Sequence, residues 1–211
     1  VFIIIASLFA GFIAKLPQFF GFTEEFFYQR NIAFVVFPLL AAYFAWKQNT
    51  PVKRIVIASI AILVSVLYIN LLPNNNQSDT LILACLHLPL FLWAVLGFTY
   101  LGDDIKNDNR RLDFLRYNGD LVVMTAIILL AGGLFTALTI NLFSLIDIHI
   151  EEFYFRNIAI WGLAAAPIVG TYLVQTNPQL VNKVSPVIAK IFTPFVLVTL
   201  VVYLVAVIYT G

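Results

Sequence analysis

A glutamate, a tyrosine, an arginine and an asparagine occur twice in this chain at the same spacing: Glu25, Tyr28, Arg30 and Asn31, then Glu151, Tyr154, Arg156 and Asn157. A guanidinium near a carboxylate, with a phenol and an amide beside them, can hold a polar or anionic ligand through charge-assisted hydrogen bonds. The same residue types also have a plainer use as anchors. Aromatic rings favour the headgroup level of a bilayer, arginine snorkels to it and acidic residues suit a helix start. In that reading Asn31 and Asn157 cap the helices that follow them. The sequence leaves both readings open.

Three other places carry polar chemistry. Asp147, His149, Glu151 and Glu152 mix carboxylates with an imidazole, a donor set that divalent metals accept. The first copy has Gly21, Thr23 and Glu25 at the aligned positions and no histidine, so a solvated acidic turn is expected and no metal is assigned. His87 lies beside Cys85 and Pro89 inside an apolar run. An ionisable group at membrane depth is a functional hypothesis by default, but no carboxylate in the apolar runs offers it a proton partner, and a hydrogen bond to a neighbouring helix is expected. Lys15 falls near the end of its run, where a snorkelling stem suffices. The chain has no GxSxG, HExxH, paired intramembrane aspartates or glycine-rich phosphate loop, so no catalytic residue and no cofactor is assigned and an intramembrane enzyme is disfavoured.

The elements that must position these residues are apolar throughout. Hydrophobic residues make up 62% of the chain and charged ones 11%, with a mean hydropathy of +0.96. Soluble domains run at about 45–50% and about 25%. Twelve basic residues against eleven acidic ones give no electrostatic case for nucleic acid. Cys85, the only cysteine, can form no intrachain disulfide. Seven apolar segments predict membrane-spanning helices: Val1–Phe22, Ile32–Trp46, Ile55–Leu72, Leu81–Leu101, Leu121–Leu145, Ile158–Val174 and Ile188–Tyr209. About 20 apolar residues cross the hydrocarbon core as a helix, so the second and sixth are short. Polar, turn-prone stretches such as Gln48-Asn49-Thr50-Pro51 and 73–79 separate them. Between Asp103 and Asp120, arginines alternate with Leu112, Phe114 and Leu115. That predicts a short helix on the inner membrane surface, with Asp120 capping the next span.

Lysine and arginine set the orientation. Lys47, Lys53, Arg54, Lys106, Arg110, Arg111, Arg116, Lys183 and Lys190 fall on one side, and Lys15, Arg30 and Arg156 on the other. The side with nine is expected to be cytoplasmic. The chain opens on Val1 inside an apolar run, without an initiator methionine or a basic leader, and is expected to be an excerpt of a longer protein.

An internal repeat organises the whole. Glu25-Phe-Phe-Tyr-Gln-Arg-Asn-Ile-Ala33 recurs as Glu151-Glu-Phe-Tyr-Phe-Arg-Asn-Ile-Ala159, identical at seven of nine positions. The predicted fold is all-α and integral to the membrane. Its seven helices form two parallel three-helix repeats joined by a linker helix (3+1+3), over 1–72, 81–101 and 121–211. By this alignment the first helix lacks about six residues at its start. A class of sugar transporters shares such a plan. Gly162, Ala166 and Gly170, four apart, are expected to let helices approach closely.

Leu115-Arg-Tyr-Asn-Gly-Asp-Leu121, Leu130-Ala-Gly-Gly-Leu134, Glu151-Glu-Phe-Tyr154 and Ile160-Trp-Gly-Leu163 together resemble a bacterial membrane family known only as domain of unknown function 4153. The resemblance implies a bacterial inner-membrane protein and brings no activity, cofactor or site residue. The expected function is a non-enzymatic, ligand-binding or transport-like helix bundle. The alternative is a scaffold or accessory subunit that contacts a partner. The expected partners are the lipid bilayer and either a small polar ligand or another membrane protein.

Overall fold

The computed structural model describes residues 1–21, 23–74, 78–176 and 184–210. Residues 75–77 and 177–183, Lys183 included, lie outside the described residues. The helices are α1 (Phe2–Ala14), α2 (Leu16–Phe20), α3 (Glu24–Lys47), α4 (Val52–Leu71), α5 (Asp79–Leu101), α6 (Asp108–Ser144), α7 (Glu151–Tyr154), α8 (Ile160–Thr176) and α9 (Val184–Thr210). A π-helical turn over Phe155–Ala159 joins α7 to α8. No strand occurs among the described residues.

Among the described residues, five helical stretches are long and apolar enough to cross a membrane: Val52–Leu71, Asp79–Leu101, Asp108–Ser144, Glu151–Thr176 and Ile191–Tyr209. They are the expected third to seventh spans. The expected first span is broken. Lys15 closes α1 after 13 residues, and Pro17 sits in the first turn of α2, where its missing N–H costs nothing. The expected second span begins earlier than its apolar run. Thr23, extended, precedes α3, whose first turn holds Glu24 and Glu25 against the positive end of the helix. Asn31 therefore lies inside α3 and does not cap it.

The surface helix expected before Asp120 is absent as a separate element. Residues 108–144 form one helix of 37 residues, about 55 Å at 1.5 Å per residue. No proline interrupts it, and Gly119 alone does not break it. Since the hydrocarbon core is about 30 Å thick, the charged first turns extend beyond an apolar layer.

The chain divides into two compact units, Val1–Asn118 and Gly119–Gly211. In the first, α3 and α4 pack on α5, the expected linker helix, around Ala33, Phe34, Ile69, Leu88 and Leu92. At the Lys47 end, Phe44 lies 4.7 Å from Tyr100 and 4.9 Å from Tyr117, ring centre to centre. The Thr50 hydroxyl donates to the Thr99 carbonyl at 3.2 Å, tying the α3–α4 turn to α5. In the second unit, Gly170 of α8 meets Thr125 and Leu121 of α6 so closely that a Cβ there would lie 3.0 Å from the Thr125 hydroxyl oxygen. Phe143 of α6 meets Tyr203 of α9 edge-on at 5.6 Å. A Cβ at Gly162 would meet nothing within 4 Å, so of the two glycines in this stripe Gly170 alone is closely approached, while Ala166 between them is buried.

Candidate functional site

The first copy of the motif lies in α3 and is consumed in holding other helices. Arg30 is 1% exposed. Its Nη1 donates to the carbonyls of Ile69 at 2.7 Å and Leu72 at 2.8 Å, and its Nη2 to that of Pro73 at 3.2 Å. Ile69 lies in the last turn of α4, Leu72 caps it and Pro73 follows, so these acceptors gather at the helix end, where carbonyls lack helical N–H partners and the helix carries its negative pole. The guanidinium thus finds compensating charge in a helix terminus. Its other face covers the Phe26 ring at 4.4 Å. Its Nε is buried and meets no acceptor among the described residues.

One residue on, Asn31 and Asn70 exchange two amide bonds. Asn31 Nδ2 donates to Asn70 Oδ1 at 3.0 Å, and Asn70 Nδ2 to Asn31 Oδ1 at 2.8 Å. The Tyr28 hydroxyl donates to the Ala14 carbonyl at 2.9 Å, closing the end of α1 in the same manner. Glu25 lies in the first turn of α3.

The second copy is built otherwise. Arg156 donates to Glu152 Oε1 at 3.1 Å across one helical turn, with 57% of its side chain exposed. Asn157 donates to the Phe153 carbonyl of its own helix at 3.0 Å. It sits in the π-helical turn, so here too the expected cap is not what forms. Tyr154 is buried, Glu151 is half-buried, and Phe153, Phe155 and Ile158 are exposed. Two substitutions distinguish the copies. Glu152 replaces Phe26, giving arginine an acid one turn back in place of a ring to cover. Phe155 replaces Gln29 at the start of the π turn, a distortion that concentrates at functional sites.

The remaining candidates are simpler. His87 is exposed, and its Nδ1 lies 2.8 Å from the Leu83 carbonyl one turn back on α5, so its partner is its own helix and not a neighbouring one. The exposed His149 places its Nδ1 3.8 Å from Glu151 Oε1. Among the described residues no three His, Cys, Asp or Glu side chains converge as a metal site requires. Lys15 is 8% exposed, packed within the protein instead of reaching out along a snorkelling stem.

Sequence reasoning passed over Asn70, whose only signal was an amide at the end of an apolar run. It also passed over a groove of about 550 Å³ at the α5–α6 turn, lined by Arg54, Asp103, Asp104, Ile105, Lys106 and Asn107. There Arg54 pairs with Asp103 at 3.3 Å and Arg110 with Asp104 at 3.4 Å. Opposite charges on a solvent-exposed turn hold that turn to the start of α4.

No family model matches the chain, and neither a curated protein nor a solved structure is significantly similar to it.

Proposed function

We propose that this chain is a non-enzymatic, multi-pass membrane module in which the first outer motif is a structural clamp and the second is a recognition surface for a partner membrane protein. The supporting observation is the contrast between two nearly identical motifs. Arg30 is buried on the carbonyls of α4, while Arg156 stands exposed among Phe153, Phe155 and Ile158. A ligand-binding vestibule needs both arginines within reach of a ligand, and Arg30 is already engaged. An exposed arginine flanked by aromatic residues has the composition of an interaction hot spot.

In this reading the broken α1–α2 segment and α3 also lie in the bilayer, which completes seven spans in the 3+1+3 plan. The nine-basic face is cytoplasmic, and the likeness to domain of unknown function 4153 points to a bacterial inner membrane. A photo-cross-linking residue at Phe155 in intact cells is expected to capture protein. The same residue at exposed Leu130, on an apolar stretch of α6, is expected to capture lipid. Capture of lipid alone at Phe155 overturns the reading.

A further inference from the structure

The charges around the groove at the α5–α6 turn fall into those that shape it and those that do not. Arg54 pairs with Asp103 at 3.3 Å, Arg110 with Asp104 at 3.4 Å and Arg111 with Asp108 at 3.5 Å. Arg111 also donates from Nε to the Ile105 carbonyl at 2.9 Å. Each aspartate of the turn thus has its own arginine. Lys106, which lines the groove, and Lys53, beside Arg54 at the start of α4, are exposed. Neither has an acidic partner among the described residues. Five cations against three anions leave a surplus of two positive charges, and Asp113 and Arg116 further along α6 cancel in sum. Arg54 keeps its Nη1 buried and without an acceptor among the described residues, so Asp103 offsets its charge only in part. Asn107 Oδ1 accepts the Asn109 N–H at 3.1 Å, which leaves the Nδ2 hydrogens as donors on the groove wall. Exposed apolar side chains adjoin these cations in sequence: Val52 before Lys53 and Leu112 after Arg111.

We propose that this groove binds the phosphate headgroup of an anionic lipid. The phosphate oxygens accept from Lys106 Nζ and Asn107 Nδ2, and Lys53 supplies the second unpaired charge. A lysine ammonium suits phosphate as a point charge. The aspartates oppose it little, because each is held by its arginine. A free phosphate would meet the same donors and make no use of Val52 and Leu112, whereas a lipid lays its acyl chains along them. The groove also lies at the polar end of α4, α5 and α6, where basic side chains next to a membrane span draw anionic lipid. The inference needs only that these helices cross the bilayer, and it is independent of the role given to Arg156.

The full chain carrying Cys85→Ala and Leu115→Cys is labelled with a thiol fluorophore at the exposed position 115, one turn along α6 from Arg111. It is reconstituted in phosphatidylcholine vesicles into which phosphatidic acid with a nitroxide on its acyl chain is titrated, and phosphatidylcholine with the same nitroxide in parallel. Phosphatidic acid is expected to quench at the lower mole fraction. Lys106→Gln and Lys53→Gln are each expected to weaken that preference roughly fivefold, and Arg116→Gln to leave most of it. Equal quenching by the two lipids overturns the proposal. Equal losses from Lys106→Gln and Arg116→Gln also overturn it, since they mark diffuse attraction to the whole basic face. Inorganic phosphate that relieves the quenching more than sodium chloride of the same ionic strength assigns the groove to free phosphate and overturns the lipid.

Discussion

Asn31 and Asn70 show how polar residues act between apolar helices. Each satisfies the other, and Asn70 also satisfies Val66. Removing one partner leaves a desolvated amide, which costs about 1–3 kcal/mol, whereas replacing both with apolar residues of similar shape is nearly neutral. Asn31→Ala is therefore expected to destabilise the detergent-solubilised chain by that amount in a denaturation series, and Asn31→Leu with Asn70→Leu to recover most of it. A double variant as unstable as the sum of its singles contradicts the pairing. The sequence marked Arg30 and Asn31 as important because the repeat preserved them. It did not reveal what they hold, because the acceptors are backbone carbonyls and every residue has one. Which carbonyls lack an N–H depends on where α4 ends, a property of the fold.

At the scale of elements, apolar runs located the helices, and local chemistry moved their ends. Pro17 after Lys15 divides the first run, and Glu24 with Glu25 draws the start of α3 upstream of its apolar stretch. The expected break at Asp120 fails because a single acid and Gly119 cannot stop a helix whose neighbours favour it. The four-residue spacing of Gly162, Ala166 and Gly170 was legible as a packing stripe, yet spacing alone does not say where a second helix crosses. Gly170→Ala sets a methyl 3.0 Å from the Thr125 hydroxyl and is expected to cost about 1–3 kcal/mol through overpacking. Gly162→Ala adds a methyl to open space and is expected to be neutral, or stabilising by up to about 1 kcal/mol from helix propensity. Equal effects on the thermal midpoint contradict the crossing point.

Across the whole molecule, the proposed orientation rests on the nine-against-three asymmetry of basic residues. Cysteines placed at Asn74 and Asn107, both exposed, are expected to react with an impermeant maleimide from opposite sides of the membrane, Asn74 from outside. Reaction from one side only contradicts the span between them. The central claim is that one motif serves as a buried clamp in one half and an exposed surface in the other. The most direct test makes the same substitution in each half of the full chain and measures unfolding side by side. Arg30→Ala strips three hydrogen bonds from the end of α4 and is expected to cost on the order of 3 kcal/mol. Arg156→Ala breaks an exposed pair with Glu152 and is expected to cost about 0–1 kcal/mol. Equal losses, or a larger loss at Arg156, contradict the account.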